Sequence, residues 1–422
     1  MAREYLDAQF PVVNAPKPHI TIPIDGREVR RMRLLARTFY EAARPRRRRF
    51  SRRKAEVGAV LHVSPSLFGA DGIVGGGERA AYELARAIGG EVPTTFVSFG
   101  PRRLSWRDGD LGVEIYPSAG DLGGQRFDPL SYHFLEQVRK ADVVHCSQYR
   151  VAVSQLAILA GAAMGKRTFV TDRGGVGAHF NPHVPVERCL TALLPISHFS
   201  LAHLPTRVPA CVIHGGTTKL FLSTRAWAPE VTSAQSRRVL YVGRIMRHKG
   251  IDVLIEGLPE GMGLDVVGQI YDDEYVALLL RLATSRNVRF VHDATDEHLL
   301  STYRNALVTV LPSVYRDTFG GYWEMPELLG NVLLESMACG TPAICSDVGG
   351  MPEVVEHGLT GFVVPPNDPV ALGMRIDELA CNPRLRYEMG RRAHERVLER
   401  FTWEHVAQRA LTAYHWDDAA VD

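Results

Sequence analysis

Cysteine is scarce and scattered. The six residues, at positions 146, 189, 211, 339, 345 and 381 of 422, form no C-x-x-C pair and no His/Cys cluster at metal-ligand spacing. That pattern excludes a disulfide-stapled scaffold, argues against a structural zinc, and points to a reducing compartment. Long apolar runs are equally lacking. The most apolar stretch, VAVSQLAILAGAAMG from Val151, is too short to cross a bilayer and reads as a buried helix. No N-terminal segment carries the apolar core of a signal peptide, so a cytoplasmic protein is expected. There is no internal repeat and no low-complexity tract apart from one arginine run. What remains is 45% hydrophobic and 23% charged, an ordinary globular mixture long enough for two domains.

Charge is unevenly spread. Residues 1–56 hold 15 Lys and Arg against 6 Asp and Glu, and the other 366 hold 34 against 41, so +9 is set against −7. The excess peaks at RPRRRRFSRRK, Arg44 to Lys54, after a helix-compatible stretch carrying Leu34, Leu35, Phe39 and Tyr40. Basic and apolar residues interleaved over residues 28–54 suit peripheral contact with an anionic membrane, the inner membrane surface in a cytoplasmic protein. A helix packed on the following domain, with a solvated tail, fits the same residues. Nucleic acid is not expected as a partner, because no nucleic-acid module accompanies the charge.

The densest chemistry lies in ELLGNVLLESMACG, Glu327 to Gly340. Asn331 is expected to cap the helix that follows, whose first amides then offer an anion seat. Glu327 stands before that helix and Glu335 one turn inside it, so the two carboxylates could grip groups on either side of a phosphate. One structural and one surface carboxylate would leave the same spacing. Upstream, VLYVGRIMRHKGIDVLIEGL from Val239 reads as a strand, a turn at Gly243 and an amphipathic helix. Arg244 and Lys249 fall in the strand-to-helix loop, where open α/β sheets bind ligands, and two cations there suit a diphosphate. TPAICSDVGGMPEVVEHGLTGFVVPPND, from Thr341, adds a buried strand, a Gly-Gly turn, a helix opened by Pro352 and a return strand.

In that order and spacing, Arg244, Lys249, Glu327, Glu335 and the GGMPEVVEHGLTGFVV tail resemble the donor half of retaining GT-B glycosyltransferases of family 4, the glycosyl transferases group 1. The resemblance is dense over residues 239–370 and looser before. It implies an α/β fold of GT-B architecture, with two Rossmann-like domains facing a central cleft and a C-terminal helix crossing back. The expected divisions are a basic extension (1–56), an acceptor domain (57–218), a nucleotide-sugar donor domain (236–400) and the crossing helix (401–422).

Signals in the first domain are fewer. GIVGGGERAAYELARAIG, from Gly72, is a Gly-rich loop entering a helix, and glycine lets backbone approach a diphosphate closely. Its spacing approaches the dinucleotide fingerprint, but the loop stands too far beyond the strand. The resemblance places Gly75 and Gly76 against the donor phosphates. In KADVVHCSQYR the family commonly has His-x-His, whereas this chain reads His145-Cys146-Ser147. Ser147 or Gln148 would then supply the missing polar contact, and His145 reads as a core histidine. Asp172 and Arg173 follow the next strand, where acceptor-facing residues are expected. Ser197 matches a serine that follows the family's last short strand.

The implied chemistry is transfer of a hexose from a UDP- or GDP-linked donor to a hydroxyl acceptor: a glycan, a lipid-linked sugar or a small molecule. Arg244, Lys249 and Glu327 form the catalytic set. Gly75, Gly76, Glu327, Gly330, Asn331, Val332 and Glu335 form the donor site. Glu327 would take sugar hydroxyls and Glu335 both ribose hydroxyls. No metal and no further cofactor are expected, because several phosphate-directed groups converge and no D-x-D pair is evident. A GT-B epimerase or phosphorylase, and a non-catalytic GT-B protein binding sugar nucleotide or membrane, are the alternatives.

Overall fold

The computed structural model describes residues 26–43, 56–66, 76–122, 128–174, 184–205, 207–222, 237–292 and 294–416. Helix α1 (Gly26–Ala43) precedes β1 (Val60–Val63), α2 (Gly76–Gly89), β2 (Thr94–Gly100), β3 (Leu104–Asp108) and β4 (Leu111–Pro117). Then come α3 (Leu135–Lys140), β5 (Val143–Cys146), α4 (Ala152–Ala163), β6 (Arg167–Val170), β7 (Ala192–Leu193) and α5 (His198–Ala202). The strands make one seven-stranded sheet in the order β3-β4-β2-β1-β5-β6-β7, parallel except for β3 against β4. β1 and β5 are buried along their whole length, as strands covered on both faces must be, and neither alternates between buried and exposed positions.

The second unit runs through β8 (Arg238–Val242), α6 (Ile251–Glu256), β9 (Gly263–Val267), α7 (Asp273–Ala283), β10 (Asn287–Val291) and α8 (Asp296–Asn305). It continues through β11 (Val308–Leu311), α9 (Asn331–Ala338), β12 (Ala343–Ser346), α10 (Met351–Val354), β13 (Gly361–Val364), α11 (Pro369–Cys381) and α12 (Pro383–Arg400). Its six strands lie in the order β10-β9-β8-β11-β12-β13, all parallel. The order reverses between β8 and β11, and in the first sheet between β1 and β5. Open sheets of this kind place their ligand crevice at those reversals, beyond the carboxyl ends of the strands.

Helix α13 (Trp403–Tyr414) leaves the second unit and returns to the first. Trp403, Val406, Ala410 and Leu411 share a core with Val60, Leu84, Ile88 and Phe169. The two chain crossings meet where Thr217 N–H donates to the Phe401 carbonyl at 3.0 Å.

Helix α1 changes the reading of the basic extension. Met32 and Ala36 are buried against α4, with Val29, Leu35, Phe39 and Tyr40 in the same cluster. Residues 26–43 are therefore part of the first domain's core and not a free tail. The arginine run from Arg44 to Lys54 lies outside the described residues, as do most of the linker (223–236) and Gly75. The outer face of α1 still exposes Arg27, Arg30, Arg33, Leu34 and Arg37. The packing foreseen for this stretch occupies one face of the helix, and the basic residues lie on the opposite face. No described helix is long and apolar enough to cross a membrane.

Candidate active site

At the end of β8 the chain turns at Gly243, with φ +152°. A Cβ on Gly268, at the end of β9, would lie 1.9 Å from the Gly243 carbonyl oxygen, so this close approach requires glycine there. Arg244 follows, exposed, its guanidinium 5.7 Å above the Tyr271 ring and in no ion pair among the described residues. One 3-10 turn, Arg247–Lys249, then carries Lys249 inward until it is 6% exposed.

The buried ammonium meets the loop between β11 and α9. Lys249 Nζ forms an ion pair with Glu327 Oε1, and the Pro326 carbonyl lies 3.5 Å away. Lys249 is thus paired with Glu327, a contact that sequence spacing did not foresee. A small hairpin braces this loop: Asp317 accepts from the Phe319 and Gly321 amides at 2.9 Å each and from Trp323 Nε1 at 2.8 Å. Trp323 in turn lies against His248, ring centroids 4.4 Å apart. From the other side Gly349 and Gly350 press on the same loop. A Cβ on Gly349 would sit 1.8 Å from the Glu327 carbonyl oxygen, and one on Gly350 2.1 Å from that of Leu328. The Gly-Gly turn therefore has a packing purpose: it seats the backbone that carries Glu327.

Asn331 does not cap α9. Gly330, at φ +88°, is the N-cap, and Asn331 is the first helical residue. From that position a side chain points away from the helix's own second and third amides, which removes the expected capping bond. Instead Asn331 faces the first domain. Its Oδ1 is buried without a hydrogen-bond partner, 2.8 Å from where a Cβ on Gly215 would lie, and its Nδ2 is 3.9 Å from the equivalent point on Gly76. Val332 is half-buried beside it. One turn on, Glu335 accepts from the Tyr303 hydroxyl at 2.8 Å. Desolvation pushes its carboxyl up from the ordinary range, against the pull of Tyr303 and Arg79.

The first domain supplies a histidine that sequence reasoning passed over. His62 on β1 pairs in register with His145 on β5. Its Nε2 lies 2.6 Å from Ser147 Oγ, so Ser147 is held by an imidazole from the neighbouring strand. Burial, with Arg173 nearby, lowers His62 to about 3. His145 is a core histidine, bonded to the Tyr414 hydroxyl at 2.6 Å and Thr171 Oγ1 at 2.7 Å. Gln148 is half-buried beyond the strand end. The Asp172 carboxylate turns onto its own loop, accepting from the Gly174 amide at 3.3 Å, and is pushed up by desolvation. Arg173 tucks beneath α2 and donates to the Ala80 carbonyl at 3.4 Å, its pKa lowered to about 10 by desolvation.

The two domains are fastened directly behind Glu327. Ser197 Oγ donates to the Leu328 carbonyl at 2.6 Å, and Glu353 accepts from the His198 and Phe199 amides at 2.9 and 3.0 Å. Further along the cleft, Arg79 Nη2 on α2 donates to Asp296 Oδ1 and Oδ2 on α8 at 2.6 and 2.8 Å. Ser197 and Ser200 form a reciprocal capping box at the start of α5, and neither that box nor the contact of Glu353 across the cleft was foreseen from the sequence. Among the described residues no three His, Cys, Asp or Glu are grouped as a metal site.

Two Rossmann-like units and a crossing terminal helix make up a GT-B architecture. Residues 225–396 match the family described as Glycosyl transferases group 1. It is 35% identical over 193 residues to the alpha-maltose-1-phosphate synthase of Mycolicibacterium smegmatis, covering 42% of this chain and 47% of that protein. It is 28% identical over 235 residues to the D-inositol 3-phosphate glycosyltransferase of Corynebacterium diphtheriae, covering 50% of this chain and 51% of that one. The chain thus spans about half the length of these curated relatives. In fold it is similar to Anabaena HepE, solved in complex with UDP, with a TM-score of 0.62, 17% identity, and 84% and 98% of the two chains covered.

Proposed function

We propose that the protein transfers a hexosyl group from a nucleoside-diphosphate sugar to a hydroxyl acceptor, with retention at the anomeric carbon and without a metal ion. The observation that carries this reading is the Lys249–Glu327 ion pair set between exposed Arg244 and the first turn of α9. Cleaving a sugar–diphosphate bond builds negative charge on the leaving phosphate. Arg244, Lys249 and the first-turn amides of α9 would stabilise it, and preorganised charge of this kind is usually the largest catalytic term. Glu327 would share Lys249 with that phosphate while accepting sugar hydroxyls, and Glu335 would accept the ribose hydroxyls. The bond from C1 to the leaving oxygen breaks as the acceptor oxygen bonds C1 on the same face, and the acceptor's proton passes to the leaving phosphate.

UDP- and GDP-linked hexoses are the donors to test, because HepE was solved with UDP and Glu335 would hold ribose under either base. The measurement is release of nucleoside diphosphate, with and without hydroxyl acceptors, before and after chelation. Turnover that survives chelation and gives a product of retained configuration supports the reading; binding without any release of diphosphate leaves only the non-catalytic alternative. The outward face of α1, with Arg27, Arg30, Arg33, Leu34 and Arg37, supports peripheral contact with an anionic membrane, and hence an acceptor at that surface.

A further inference from the structure

We propose that Arg79 is a donor-binding residue held in reserve by Asp296, and that its guanidinium exchanges this carboxylate for the donor's diphosphate when nucleotide enters. This inference rests on the donor site proposed above.

Geometry places Arg79 at that site. It stands three residues after Gly76, one turn along α2 and on the same face. Gly76 faces Asn331 across the cleft. Arg79 in turn acts electrostatically on Glu335, four residues after Asn331, and helps pull that carboxyl down. The first turns of α2 and α9 therefore oppose each other in step: Gly76 with Asn331 at the level of the amides, Arg79 with Glu335 at the level proposed for ribose. A phosphate seated on those amides and a ribose on Glu335 would place the diphosphate within one helical turn of the guanidinium.

The present partner is easily released. The Asp296 side chain is 42% exposed, and ion pairs with a solvated member contribute little. Asp296 is also the first residue of α8, a ten-residue helix whose positive end stabilises a carboxylate without Arg79. A diphosphate, by contrast, offers a multiply charged acceptor that matches the guanidinium fork. Exchange therefore moves Arg79 from a partner that does not need it to one that does.

Calorimetric titration of UDP, GDP, uridine and guanosine into the full chain tests this, using wild type, Arg79→Ala, Arg79→Lys and Asp296→Asn. Arg79→Ala should weaken the bound diphosphate about tenfold, the scale of one lost charged contact, and leave nucleoside affinity unchanged. Arg79→Lys should recover part of the loss. Asp296→Asn should leave diphosphate binding equal or tighter. Should Asp296→Asn weaken the diphosphate as Arg79→Ala does, the pair is a fixed clasp and the exchange is wrong. An Arg79→Ala variant that binds diphosphate like wild type overturns it as well. If wild type binds neither diphosphate, the donor-site reading itself fails, and with it this inference.

Discussion

Ser197 donates its hydroxyl to the Leu328 carbonyl at 2.6 Å across the cleft, one residue from the carboxylate that pairs with Lys249. Gly174 presses on the same residue, for a Cβ there would meet Leu328 Cδ1 at 2.8 Å. The first domain thus holds the Glu327 loop in place from two sides. Ser197→Ala should lower kcat several-fold with KM little changed, and cost about 1 kcal/mol of stability as a lost helix cap. Ser197→Thr keeps the hydroxyl and should restore turnover. A drop in melting temperature with kcat intact would mean that the serine serves only its own helix.

The Lys249–Glu327 pair is largely buried, with side chains 8% and 15% exposed. Removing one member of a buried pair leaves a charge without compensation, so Lys249→Ala should cost about 3 kcal/mol in urea unfolding. Turnover should fall more than donor affinity. The double variant Lys249→Met, Glu327→Gln should regain most of the stability and none of the turnover, separating the pair's structural part from its chemistry. Glu335→Ala, in contrast, should act mainly on donor affinity. A double variant that recovers activity would remove both residues from the catalytic set.

Acid should destabilise the fold through its buried histidines. Burial lowers His62 and His248 to about 3 each, and His145 well below its ordinary range. His62 is faced by His145 and Arg173, neither of which favours a second positive charge. As pH falls below about 6.5, the unfolded chain takes up protons that these folded imidazoles refuse. Stability is therefore full above that pH and declines toward pH 3, by at most about 1.4 kcal/mol per pH unit for each histidine. His62→Gln should flatten the fall of unfolding free energy between pH 6.5 and 4.5. An unchanged slope would mean that His62 ionises in the folded protein.

What the sequence disclosed, and what it hid, follows from reach. Arg244, Glu327, Gly330 and Glu335 were legible because strand ends and helix starts leave local marks: β-branched runs, glycine turns and a carboxylate at fixed spacing. The capping role given to Asn331 failed because Gly330, in a left-handed conformation, took the cap and shifted the helix start by one residue. His62 was silent because a histidine in an apolar strand looks like any core residue until its register with His145 is known. Tyr303, Arg79 and Glu353 act over separations of 32, 217 and 155 residues, which no local pattern encodes.

The basic helix α1 calls for a different test from simple truncation. Deleting residues 1–56 would uncover the face of α4 that Met32 and Ala36 now bury, so lost activity would report misfolding. Charge reversal of Arg27, Arg30, Arg33 and Arg37 to Glu leaves that packed face alone. Each arginine near an anionic surface contributes about 1 kcal/mol, screened by salt. The reversed protein should lose most of its binding to phosphatidylserine-containing vesicles at low salt, while releasing diphosphate from soluble donors at the wild-type rate. Wild-type binding to these vesicles should itself fade as salt is raised. Should the wild-type chain fail to sediment with anionic vesicles at any salt concentration, the outward arginines serve no membrane role and the acceptor need not lie at a bilayer.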